Sequence, residues 1–101
     1  MPKIYISGKI TGLERIDYLR KFENAEIWLS EHGFSVINPA TVNDRLPDDT
    51  TYEEYMKMSM LLLSFCDTIF MLADWKDSPG ATKEYQYAVE NDLTIMFEEQ
   101  P

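Results

Sequence analysis

Residues 67–97 read DTIFMLADWKDSPGATKEYQYAVENDLTIMF, a strand, a helix and a strand in succession. Ile69 to Leu72 is continuously apolar, as in a strand covered on both faces. The strand is expected over 67–72, with a loop over 73–77. Ser78-Pro79 predicts a helix start, Ser78 as the cap and Pro79 in the first turn. That helix runs to about Glu90. Asn91-Asp92 fits its C-cap and turn, because asparagine tolerates the left-handed region. Leu93 to Phe97 is the next strand, and 98–101 is a tail. A strand, a helix and a returning strand make a parallel pair with a right-handed crossover.

The same grammar repeats upstream. Lys3 to Ser7 is a first strand, Gly8 to Gly12 a turn, and 13–31 an amphipathic helix. Tyr18, Phe22, Ala25 and Leu29 form its stripe, widened by Leu19 and Trp28. Gly33 stops the helix, and 34–37 is a second strand that Asn38-Pro39 ends. Residues 40–50 read as polar turns. Thr51 and Glu54 match a capping box, so another helix is expected from there to about Ser64. Its second half is apolar nearly all round, which predicts deep burial or an oligomer contact. Four uniformly apolar strands alternating with three helices give an α/β three-layer sandwich. Its four-stranded parallel sheet has expected order 2-1-3-4, a Rossmann- or flavodoxin-like arrangement.

The chain has 101 residues, which fits one domain over 1–101. A domain this small gains from an oligomer interface, so a homo-oligomer is expected. Its net charge is -9. Residues 1–40 carry five basic and five acidic groups, and 41–101 carry four and thirteen. That field opposes binding to a nucleic acid polymer, while a small anion held by backbone amides is compatible with it. No apolar run approaches the ~20 residues of a membrane span, and the first residues do not read as a secretory leader. A single cysteine, Cys66, suits a reducing, cytoplasmic setting. With one cysteine and one histidine, a zinc site is short of ligands, and no cofactor is expected.

In open α/β sheets, ligands bind beyond the carboxyl ends of the strands, near the reversal of strand order. Three loops lie there: Gly8 to Gly12, Asn38 to Thr50, and Ala73 to Gly80. The first is a tight strand-to-helix turn or a close backbone approach to a ligand. It matches neither a dinucleotide fingerprint nor a phosphate loop. Ser78, with Gly80 behind it, either caps the helix or holds a phosphate on the free amides. Glu84, in the second helical turn, is a surface charge or a carboxylate able to attack a sugar anomeric carbon. Tyr5, one strand away, is core or a partner of that carboxylate. Asp74 can take a ligand hydroxyl or act as an acid, and Trp75 can stack on a base or sugar. Lys76 and Lys83 supply local positive charge or face solvent. Asp67, Cys66 and His32 fall at the opposite edge of the sheet and read as structural.

These residues carry a family resemblance over nearly the whole chain. Lys3-Ile-Tyr-Ile-Ser-Gly8 with Ile10-Thr-Gly12, then Val36-Ile-Asn-Pro-Ala40, Cys66-Asp67, Trp75 and Ser78-Pro-Gly-Ala81 with Glu84 occur in that order. The chain resembles the nucleoside 2-deoxyribosyltransferase-like superfamily, and within it a small phage and bacterial branch. The resemblance implies an N-glycoside hydrolase or deoxyribosyltransferase acting on a deoxynucleoside or its 5′-monophosphate. It further implies Glu84 as nucleophile, Tyr5 as its orienting partner, and Ser78 and Gly80 at the 5′-phosphate. Gly8, Lys9 and Gly12 then line the nucleotide pocket, with Asn38 on the second loop, and Trp75 stacks on the ligand. Two positions depart from the pattern. Ser59 stands where relatives carry an aspartate that contacts the sugar, and Lys9 where proline is usual. A hydroxyl supplies neither the negative charge nor the acidity of that aspartate. Asp44, Asp48, Asp49, Glu53 and Glu54 are the acids nearby in sequence. The alternatives are a non-catalytic nucleotide or nucleotide-sugar binding protein and a structural or interaction protein.

Overall fold

The computed structural model describes residues 2–99, so the last two residues of the expected tail lie outside it. Strand β1 (Lys3–Ser7) is followed by α1 (Arg15–Glu31), β2 (Ser35–Ile37), α2 (Pro39–Asn43) and α3 (Tyr52–Ser64). Then come β3 (Thr68–Met71), a 3-10 turn over Trp75–Asp77, α4 (Pro79–Glu90) and β4 (Thr94–Phe97). The strands form one parallel sheet in the order β2-β1-β3-β4, with Tyr5 level with Ile37 on one side and Ile69 on the other.

Alternation along the strands sorts the core into two layers. Ile4, Ile6, Phe70 and Leu72 pack against Phe22, Ala25 and Leu29 of α1. Tyr5, Ile69 and Met71 face the other way, with Leu63 of α3 and Ala81 and Ala88 of α4. This double cover is why the strand sequences are apolar without alternation. It also puts Tyr5 and Ser7, two residues apart on β1, on the face that meets α4.

Several local expectations need correction. The stretch 40–50 is not all turn. Asn38 accepts from the amides of Ala40 and Thr41, and with Pro39 in the first turn this nucleates α2. Asp92 (φ 56), not Asn91 (φ -108), takes the left-handed position after α4. Trp28 does not widen the buried stripe; it is half exposed and stacks on His32 at 4.1 Å. On α3, Leu63 is buried but Leu61 and Phe65 are exposed, so its apolar second half is only partly covered. Gly33 ends α1 at φ +88 as expected. Among the described residues, no helix is long and apolar enough to cross a membrane.

Candidate active site

The periodicity of α4 decides where its one buried acid points. Ala81, Glu84 and Ala88 are its buried residues, spaced three and four apart, so they share one face. The two alanines let the helix lie close to the sheet, and Glu84 is carried in with them. Ser78 anchors the helix start by accepting from the Ala81 amide at 3.1 Å. Beneath the second turn, the Tyr5 phenol donates to Glu84 Oε2 at 2.5 Å, and the Ser7 hydroxyl donates to Oε1 at 2.7 Å. Both carboxylate oxygens are thereby fixed by strand β1.

Glu84 lines a cavity of about 810 Å³ whose walls come from β1, the turn after it, and all four helices. Tyr5, Gly8, Ser59, Ser78 and Gly80 line it as well. Ser59, on α3, accepts from Asn43 Nδ2 at 3.1 Å. Nearer the mouth, Arg15 grips Asp44 with two hydrogen bonds, at 2.7 and 2.5 Å. Tyr18, Tyr52 and Tyr55 give the lining an aromatic character. Gly80 sits tight against α3, where a Cβ would meet Met56 Sδ at 3.1 Å. Gly8 is tighter still, with Leu72 Cδ1 at 2.7 Å and Cβ at 2.9 Å from such a Cβ.

The electrostatics follow from burial. Loss of water pushes the Glu84 carboxyl up to about 7, against the opposing pull of the Tyr5 and Ser7 hydrogen bonds. Burial raises the Tyr5 phenol well above its ordinary value, and the Glu84 charge adds to that. At neutral pH, Glu84 is therefore divided between its acid and carboxylate forms. Arg15 holds Asp44 below the usual carboxylate range. Arg15 and Lys83 are the basic side chains of the lining. Among the described residues, no three His, Cys, Asp or Glu side chains are grouped to hold a metal ion.

Five of the residues singled out from the sequence stand outside this lining. Asp74 accepts from the Lys9 amide at 3.0 Å and pairs with Lys21, whose ammonium also donates to the Lys9 carbonyl at 2.7 Å. Its carboxylate ties the turn after β1 to α1 and does not reach Glu84's cavity. Lys9 contributes backbone to that clamp. Gly12 makes the turn at φ +90. Asn38 is used up in capping α2 and donating to Glu26 at 3.0 Å. Trp75 stacks on Tyr85 at 4.7 Å, with Phe97 nearby, beside a second cavity. Neighbouring positions on a helix diverge by about 100°, so the side of α4 carrying Tyr85 is not the side carrying Glu84. Of the alternative acids, Asp44 and Asp48 line the main cavity, whereas Glu54 completes the α3 capping box. Sequence reading passed over Ser7, Arg15, Asn43, Tyr18 and Tyr55. Ser7 had a legible signal, since it follows Tyr5 by one strand period.

Residues 2–97 match the model of a family described as a domain of unknown function (DUF4406). No curated protein matches the chain. Among solved structures, the chain is similar to a 2-deoxyribosyltransferase from the psychrotolerant bacterium Bacillus psychrosaccharolyticus. The identity is 18% and the TM-score 0.73, over 94% of this chain and 70% of that one. Likeness at that level of identity establishes a shared fold.

Proposed function

The chain belongs to the DUF4406 family, and from its cavity we propose an enzyme that breaks the N-glycosidic bond of a deoxynucleoside or its 5′-monophosphate. The observation that carries this reading is Glu84: a buried carboxylate on the wall of a cavity, with each oxygen held by a different β1 hydroxyl. In its ionised form, one Glu84 oxygen attacks C1′ and the bond from C1′ to the base nitrogen breaks. The bonding pair leaves with the base, which takes a proton from water or an acid. Water, or a second base, then attacks C1′ and releases Glu84. Tyr5 and Ser7 hold the carboxylate in line. At the start of α4, the Gly80 amide and the Ser78 hydroxyl suit a 5′-phosphate, aided by Lys83. Tyr18, Tyr52 and Tyr55 suit a flat base.

Ser59 favours a second reading. A neutral hydroxyl lines the cavity where the resembled family carries an aspartate, which fits a protein that binds nucleotides without turning them over. Incubation with a panel of deoxynucleosides and their monophosphates, read by chromatography for free base, separates the two. Base release by the native chain that disappears in Glu84→Gln supports the enzyme. Saturable calorimetric binding without release supports the binder. Neither release nor binding across the panel overturns both.

A further inference from the structure

The two oxygens of Glu84 are held by hydroxyls that stand differently toward the cavity. Tyr5, which donates to Oε2, lines the cavity beside Glu84. Ser7, which donates to Oε1 at 2.7 Å, does not line it and is 1% exposed. Ser7 is the last residue of β1, where its carbonyl accepts the Leu72 amide at 2.8 Å and its Cα is level with that of Met71. Its hydroxyl is therefore anchored in the sheet, behind the carboxylate as seen from the cavity. Oε1 is turned toward that anchor, and Oε2 toward the space a ligand would fill.

We propose that Glu84 attacks through Oε2, and that Ser7 is a positioning residue whose hydrogen bond to Oε1 persists through the reaction. The inference rests on the proposed glycosidic function and adds which oxygen reacts. As Oε2 bonds to C1′, the bond from C1′ to the base nitrogen breaks. Its electron pair leaves with the base, which takes a proton from water or an acid. The carboxylate becomes an ester, with Oε2 as the single-bonded oxygen and Oε1 as the carbonyl. A carbonyl oxygen still accepts a hydrogen bond, so the Ser7 contact survives, whereas Tyr5 loses the charge it was bonded to. When water attacks C1′, its spare proton goes to solvent and the electron pair of the C1′–Oε2 bond returns to Glu84. Ser7 then already sits against the oxygen that shares the restored charge. The charged side chains that share the cavity, Arg15, Asp44, Asp48 and Lys83, make no hydrogen bond to Glu84 among the described residues.

The test has two readings, one of them free of substrate. In a carbon-13 NMR titration of the Glu84 carboxyl in the ligand-free chain, Ser7→Ala should raise the midpoint by about one pH unit. That is a roughly tenfold fall in the ratio of ionised to protonated form at a fixed pH. Ser7→Thr, which keeps the hydroxyl, should restore most of it. The second reading is the infrared carbonyl band of a trapped ester, with carbon-13 glutamate in the chain. The probes are the 2′-deoxy-2′-fluoro nucleoside 5′-monophosphates of adenine and cytosine, whose fluorine slows ester breakdown. Ser7→Ala should move this band to higher frequency, because a hydrogen bond to the carbonyl is lost, and Tyr5→Phe should leave it in place. If Ser7→Ala does not fold, Ser7→Cys, a weaker donor, should move both readings the same way by less. An unchanged midpoint in the folded variant overturns the positioning role. A band that moves in Tyr5→Phe and not in the Ser7 variant makes Oε1 the attacking oxygen and overturns the assignment. No ester in the native chain overturns the glycosidic reading, and the oxygen assignment with it, whatever the midpoint does.

Discussion

Asp74 and Glu84 both follow β3 at the same edge of the sheet, yet their surroundings differ. Asp74 is partly exposed and clamps a loop, with a lysine and a backbone amide as partners. Glu84 is buried, has no cation hydrogen-bonded to it among the described residues, and is held by two hydroxyls against a cavity. A carboxylate bonded to an ammonium ion and a backbone amide is engaged in holding a loop in place. One held only by neutral donors away from water is costly to ionise and correspondingly reactive. Distance along the chain from a strand end says nothing about which of these a residue becomes.

The largest expected contrast is in turnover. Glu84→Gln should lower base release by about a thousandfold or more, as loss of a nucleophile does. Asp74→Asn should leave release readily measurable in the same chromatographic assay. Equal losses in the two variants would erase the distinction.

Stability against pH sharpens it next. The folded value of Glu84, about 7, lies above its ordinary 4.5. Between those values the native state binds the extra proton, so this group's contribution is full below pH 4.5 and is lost as pH rises through 7. The loss amounts to about 3 kcal/mol. Urea unfolding of the native chain and Glu84→Gln from pH 4.5 to pH 8 should show the native chain losing that much relative to the variant. Parallel curves would mean that Glu84 is not held in a raised state.

Two smaller effects concern the loop that the Asp74 clamp secures. Gly8→Ala drives a methyl into Leu72, whose Cδ1 can swing aside but whose Cβ, at 2.9 Å, cannot. The expected cost is about 1–3 kcal/mol in the thermal unfolding midpoint. Asp74→Asn weakens the partly exposed pair with Lys21 and should cost about 1 kcal/mol, less at high salt. A salt-independent loss would show that the Lys9 amide bond, not the ion pair, holds the turn.

Much of the fold was legible because its determinants are local. Continuous apolar strands, the Thr51–Glu54 capping box, the Ser78-Pro79 start and Gly33 each act within a few residues of themselves. The α2 helix escaped notice because five residues are too few to show a period, and its capping signal at Asn38-Pro39 reads equally as a strand terminator. The candidate site was legible in part. Ala81, Glu84 and Ala88 lie at helical spacing, and Tyr5 and Ser7 at strand spacing, so both halves of the Glu84 cluster were written in the sequence. Trp75 was not legible, because the 3-10 turn that sends it toward Tyr85 is set by packing at the β4 edge. Asn43 and Arg15 were equally hidden, since each gains its meaning from a partner 16 or 29 positions away.

The sequence by itself determined the parallel sheet, its order, and the edge at which a ligand can sit, because hydrophobic period and chain handedness act through short segments. Only the tertiary structure decided which acid became a clamp and which a buried carboxylate. That choice depends on how much water and which donors remain once α3 and α4 close over β1.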